Sequence, residues 1–307
     1  MTAVRSSAPS RFAWLAIAAA VATMGLKAYA WLLTSSVGLF GDALESLVNL
    51  AAGVLALLAL RVAEQPPDDE HLYGHEKAEY FASGAEGMLI LLAASALAAS
   101  AVHRLLVPQP VEQLDVGLAI LVAAAVVNLA VALTLLAAGR RHDSITLTAS
   151  ARHLLTDVWT SGGVLVALAA VAVTGWRPLD PLIALVLAGH IGWTGFQLVS
   201  ASVQGLMDRA LPADQVEQVA AVLAEHARRS DGEVRYHALR TRRAGARSFV
   251  SFHVQVPGRW NVQQGHDLLE AIEEDIRRRL PAASVFTHLE PLEDPRSYHD
   301  QALERLR

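Results

Sequence analysis

Six long apolar runs, rich in Ala, Leu and Val, fill the chain from about Phe12 to Val203. Each is near or above the ~18 residues that a helix needs to cross a hydrocarbon core of ~30 Å. This feature constrains the fold most. Inside lipid every backbone N–H and C=O must be satisfied within the segment, so runs of this kind become spanning helices. The expected spans are 12–33, 37–62, 80–105, 116–138, 145–173 and 181–203. The first lacks a small-residue cleavage site and is read as a retained helix. Gly38 and Gly41 in the second span allow close packing. The small-residue stripe Ala93-Ala-Ser-Ala-Leu-Ala-Ala-Ser100 in the third would let another helix, from a second subunit for instance, approach closely.

Polar residues interrupt these runs in pairs. His153 and Asp157 sit four apart in the fifth run, and Glu45 and Asn49 four apart in the second, so each pair shares one helical face. A charge at mid-bilayer costs roughly 2.5–3.5 kcal/mol even on lenient scales, so such pairs imply a task. Asp157 and Asn49 lie at similar depth, ~20 Å from the cytoplasmic end of their helices at ~1.5 Å per residue. Together the four residues read as the halves of one site for a divalent transition metal. The bland alternative is mutual hydrogen bonding that only glues helices, a task usually given to Ser, Thr or Asn. Lys27 faces the bundle or snorkels, Glu86 suits a polar helix contact or a cytoplasmic mouth, and Asn128 and His190 read as packing or water-facing groups.

The 307 residues are 53% hydrophobic and 18% charged with net charge −5, which fits a polytopic membrane protein and not a nucleic-acid binder. The absence of cysteine excludes disulfides and thiolate-held clusters and argues against copper(I). Lys and Arg favour one side: Arg5, Arg11, Lys77, Arg140, Arg141 and Arg152 against Arg104 and Arg177. The expectation is therefore a multi-pass membrane protein with both termini cytoplasmic.

From about Asp208 the composition turns polar. An amphipathic helix to about Arg229, strands over Val234–Arg242 and Ser248–Val256, a helix capped by Asn261 and a strand over Ala283–Leu289 follow in order. That α-β-β-α-β order suggests a ferredoxin-like α+β domain. The expected division is a tail over 1–11, a six-helix membrane domain over 12–207, a cytoplasmic metal-binding domain over 208–292 and a charged tail over 293–307.

Two further sets of metal ligands stand out. In the second-to-third loop, Asp68, His71 and His75 are spaced to surround one ion, or else cap turns in a solvated acidic loop. The polar domain carries His237, His253, His266, His288 and Glu290 on elements that could converge on zinc, with His226 as the expected bystander. No His-Glu-x-x-His or nucleophile motif supports a metal-dependent hydrolase, and the chain reads as no enzyme.

The chain resembles the cation diffusion facilitator family, and most closely its bacterial iron/zinc exporter branch, from about residue 12 to Pro291. The pieces are Glu45-Ser-Leu-Val-Asn49, the loop from Gln65 to Glu79, His153-Leu-Leu-Thr-Asp157, Leu206-Met-Asp-Arg-Ala-Leu-Pro212, His237-Ala-Leu-Arg-Thr-Arg242 and His288-Leu-Glu-Pro291. The resemblance implies a homodimer that exports divalent cations from the cytoplasm in exchange for protons by alternating access. It implies a transport site at Glu45, Asn49, His153 and Asp157, with proton exchange at His153, Glu45 and Asp157. It also implies a loop site at Asp68, His71 and His75, and a two-metal regulatory site at His237, His253, His266, His288 and Glu290. Lys77 and Asp208 match a charge interlock that holds the dimer near the membrane surface. The branch usually has aspartate where this chain has Glu45, Asn49 and Glu290. The cargo and regulator metals implied are zinc first, then iron(II), manganese, cobalt and cadmium, with no other cofactor. The alternative is a membrane-anchored metal sensor with a vestigial transport site, which Asn49 keeps open.

Overall fold

The computed structural model describes residues 8–109, 112–141 and 145–298. Residues 1–7 of the expected N-terminal tail, with Arg5, and residues 299–307 of the charged tail lie outside them. The chain forms two compact units. The first takes in the described residues up to Leu57 together with Ala82–Ser200; the second takes in Leu58–Phe81 and the described residues from Ala201 onward.

Among the described residues, six helices are long and apolar enough to span a membrane. They are α1 (Ala8–Thr34), α2 (Val37–Ala63), α3 (Ala78–Leu106), α4 (Leu114–Arg141), α5 (Ile145–Thr174) and α6 (Leu179–Leu206). Each runs a few residues past its apolar stretch, because ends such as Arg140–Arg141 lose nothing by staying helical. The α1–α2 turn is tight. Ser35 adopts a left-handed φ of 53°, and its N–H donates to Trp31 O at 2.7 Å. Asp180 then closes the start of α2. Its carboxylate accepts from the Val37 N–H at 2.9 Å, the Gly38 N–H at 3.1 Å and the Ser36 hydroxyl at 2.7 Å. First-turn amides have no partner within their own helix, so a buried anion there meets donors and a favourable dipole.

Small residues set the helix spacings. A Cβ on Gly41 would stand 2.8 Å from Leu97 Cδ2, and one on Gly87 3.0 Å from Gly195 O, so α3 lies close against α2 and α6. The small-residue stripe of α3 therefore meets α6 of its own chain: Leu97 and Ala101 are buried with Ala184 and Ala188. Lys27 faces the bundle and is 1% exposed.

In the second unit, α7 (Ala213–Arg229), β1 (Arg235–Ala244), β2 (Arg247–Val256), α8 (Val262–Arg279) and β3 (Ala283–Pro291) follow in order. The sheet order is β1-β2-β3, antiparallel then parallel. This is the expected α+β arrangement. Val250, Phe252, Val254 and Val256 alternate inward and pack with Val219, Val222 and Leu223 of α7 and Ile272 and Ile276 of α8. The opposite sheet face carries His237, His253, His288 and Glu290. A bulge between His237 and Arg240, with Ala238 at φ 51°, interrupts β1.

Asn261 caps α8 with a full capping box: it accepts from the Gln264 N–H, and Gln264 returns a bond to the Asn261 N–H, both at 2.9 Å. Asn261→Ala is expected to cost about 1 kcal/mol locally. Hydrogen exchange at the Gln264 amide should accelerate accordingly; unaltered protection would show that the cap carries no weight.

Candidate metal sites

The first unit contains a cavity of about 340 Å³ between helices α2, α3, α5 and α6. Glu45 and Asn49 line it from α2, and His153 and Asp157 from α5, so both sequence pairs open onto one space. Glu86 of α3 and His190 of α6 line it too, with Thr156, Thr160 and Thr194. Among the described residues, Glu45, His153 and Asp157 do not gather their ligand atoms within 4.8 Å, as two other groups do.

The first of those groups is Asp68, His71 and His75. Asp68 Oδ1 accepts from the backbone N–H of His71 at 2.7 Å and of Glu70 at 3.0 Å. Its carboxylate lies 3.1 Å from His71 Nδ1 and 3.3 Å from His75 Nε2. The His71 backbone bond is the main cause that holds the Asp68 carboxyl below its ordinary range. Gly74, at φ 86°, turns the chain so that the His71 and His75 rings stand 4.4 Å apart. His75 Nδ1 is buried without a hydrogen-bond partner. A carboxylate and two imidazoles at this spacing fit a divalent ion with mixed oxygen and nitrogen ligands.

The second group is His237, His253 and Glu290. Strand register builds it: His237 stands opposite His253, and His253 opposite His288, so three imidazoles form a row across the sheet. Glu290 lies two residues beyond His288 on the same face. Its carboxylate is 2.8 Å from His237 Nε2, 3.2 Å from His253 Nδ1 and 3.6 Å from His288 Nε2. Glu290 is 7% exposed, and His237 Nδ1 is buried without a partner. A buried carboxylate ringed by imidazoles is costly unless a cation joins it or a histidine takes a proton. The cluster does not include His266, which is exposed on α8. His226 instead pairs with Asp275 at 2.8 Å and ties α7 to α8.

Lys77 meets Asp208 at 2.9 Å, and Arg242 meets the same oxygen at 3.3 Å. Among the described residues, three buried charged positions, Asp42, Asp180 and Arg104, carry no pair signal in the sequence. Asp42 bonds Lys27, Asp180 caps α2, and Arg104 bonds Ser35 O and Gln109. Glu86, expected as a packing or mouth residue, and His190, expected as a packing or water-facing group, both line the cavity.

A six-helix membrane unit with carboxylates and imidazole in its interior, followed by an α+β unit with clustered metal ligands, defines a multi-pass membrane protein that handles metal cations. The cation efflux transmembrane domain matches residues 13–207, and the cation efflux protein cytoplasmic domain matches residues 211–292. The chain belongs to the cation efflux (cation diffusion facilitator) family of transporters. The uncharacterized transporter sll1263 of Synechocystis sp. is 52% identical over 287 residues, 94% of this chain and 92% of that protein. The cation-efflux pump FieF of Klebsiella pneumoniae is 32% identical over 282 residues, 92% of each. The metal-bound C-terminal domain of the CzcD transporter from Thermotoga maritima is 27% identical and covers 27% of this chain and 92% of its own, at a TM-score of 0.24.

The Lys77 hydrogen bond is the main cause that holds the Asp208 carboxyl below its ordinary range. Both side chains are over a third exposed, so screening leaves the pair worth under about 1 kcal/mol. A carboxylate with a depressed folded-state pKa stabilises fully above its unfolded value, near ~4, and loses that contribution as pH falls through the folded value. The stability difference between wild type and Lys77→Gln should be flat above pH ~4 and shrink below it. Thermal unfolding across that range checks this; a difference that grows on acidification would overturn it.

Proposed function

We propose that this chain is a homodimeric antiporter of the inner membrane that moves divalent cations out of the cytoplasm in exchange for protons by alternating access. The observation that carries this is the opening of Glu45, Asn49, His153 and Asp157 onto one cavity in the membrane unit. With neutral His153 the four carry two negative charges, which balance a divalent ion. Cargo arriving from the cytoplasm displaces protons from His153 and a carboxylate. Helix rocking exposes the site outward, and protons arriving there displace the cargo. Asp157 and Glu45 carry the remaining coupling.

The loop site at Asp68, His71 and His75 and the sheet site at His237, His253, His288 and Glu290 bind the same class of ion outside the transport path. His266 completes the latter set across the dimer. Lys77 and Asp208 lock the dimer near the membrane surface, and both termini are cytoplasmic. Zinc is the first expected cargo, with iron(II), manganese, cobalt and cadmium as candidates. The FieF relatives are cation-efflux pumps, which supports the direction of transport.

The test is metal-driven proton flux in proteoliposomes with Zn, Fe(II), Mn, Co, Cd and Mg compared. Wild type is expected to couple flux to at least one transition metal, and Asp157→Ala to abolish it while the dimer stays folded. Asn49→Asp adds a carboxylate and is expected to reorder the metals. Full flux in Asp157→Ala would refute the site. Absent wild-type flux with metal bound only in the 208–292 domain would instead mark a membrane-anchored sensor.

A further inference from the structure

The membrane unit buries a second pair of charges that the transport cycle above leaves without a role. Lys27 of α1 and Asp42 of α2 each expose 1% of their side chains. Lys27 Nζ donates to Asp42 Oδ1 at 2.8 Å and to Ser46 Oγ at 3.2 Å. The Ser161 hydroxyl of α5 reaches both Asp42 oxygens, at 3.1 and 3.0 Å. One carboxylate thus ties three helices together. Buried ion pairs are a poor source of stability, because desolvating two charges offsets their attraction and apolar packing does as well.

Position suggests what the pair is for. Asp42 lies three residues before Glu45, and Ser161 four after Asp157, so both stand one helical turn from cavity groups. Gly41 and Glu45 line the cavity, but Asp42 does not. Lys27 and Asp42 nonetheless act electrostatically on Glu45 and Asp157.

We propose that Lys27 is the internal counter-cation of the cargo site: it holds Asp42 against α1 and Ser161, and so keeps a third carboxylate from adding its charge to Glu45 and Asp157. The inference rests on the transport reading. Two net negative charges hold a divalent ion and let protons displace it. Without Lys27 a third charge remains, and cargo binds more tightly and leaves more slowly. Without Asp42 the uncompensated ammonium repels cargo.

Zinc affinity by chelator competition tests this in the full-length protein carrying His71→Ala and His237→Ala to silence the other clusters, with zinc flux followed in parallel. Lys27→Met is expected to tighten zinc binding by about tenfold or more and slow turnover, and Asp42→Asn to weaken binding by a similar factor. The double variant Lys27→Met/Asp42→Asn should return to within about threefold of its parent. If Lys27→Met alone fails to fold, the step from Asp42→Asn to the double variant still decides, since removing Lys27 must restore affinity. Equal affinities in those two variants, or an unchanged affinity in Lys27→Met, would overturn the role of Lys27. A parent that binds zinc without flux would defeat the transport reading and leave the affinity comparison to judge Lys27.

Discussion

A carboxylate carried into hydrocarbon must find a partner, and this rule orders the membrane unit. Asp180 finds the first amides of α2 and the Ser36 hydroxyl. Asp42 finds Lys27 and Ser161. Both satisfy a cost that the fold would otherwise bear, and both fix helices that sequence order alone leaves loose. Among the described residues, Glu45 and Asp157 join no ion pair, and they face the cavity. The carboxylates left over once the structural ones are satisfied are the ones that open onto a space able to take a cation.

The second unit solves a related problem with a sheet. Antiparallel pairing of β1 with β2 and parallel pairing of β2 with β3 put His237, His253 and His288 in one row. Because strand side chains alternate, Glu290 reaches back along the same face to all three. The apolar faces of the same strands pack under α7 and α8, so the core and the ligand row are two sides of one hydrophobic alternation. A one-residue slip of any strand would lose both at once.

Most of the architecture was legible because it is written in local periods. Apolar run length defined the spans, and alternation from Ser248 to Val256 defined β2 and its two faces. The four-residue spacings at Glu45/Asn49 and His153/Asp157 defined which residues share a face. Periodicity says which face is polar but not which helix meets it. Lys27 was visible as a buried charge, yet its partner Asp42 is on another helix. Asp180 and Ser36 are 144 positions apart and share no pattern. Glu86 and His190 have no charged neighbour one turn away, so nothing local set them apart from packing residues. The bulge at Ala238 was hidden for a different reason: a left-handed alanine is a compromise forced by pairing, and alanine carries no turn preference that would announce it.

The candidate ligand groups differ in a way that suits the tasks proposed for them. In the loop and on the sheet, three ligand atoms already stand within 4.8 Å of one another, held by a turn at Gly74 and by strand register. In the cavity the corresponding groups are divided between α2 and α5 and stand farther apart. A preorganised cluster pays little on binding and retains its ion. A site split across two helices changes affinity whenever the helices shift, because losing one ligand from a divalent ion is expensive in a low dielectric. Under the proposed alternating-access cycle, binding energy that depends on helix spacing is what the exporter needs, since the same residues would hold an ion in one state and surrender it in another. The Lys27–Asp42–Ser161 tie spans α1, α2 and α5 one turn away, so any change in that spacing must also work against it.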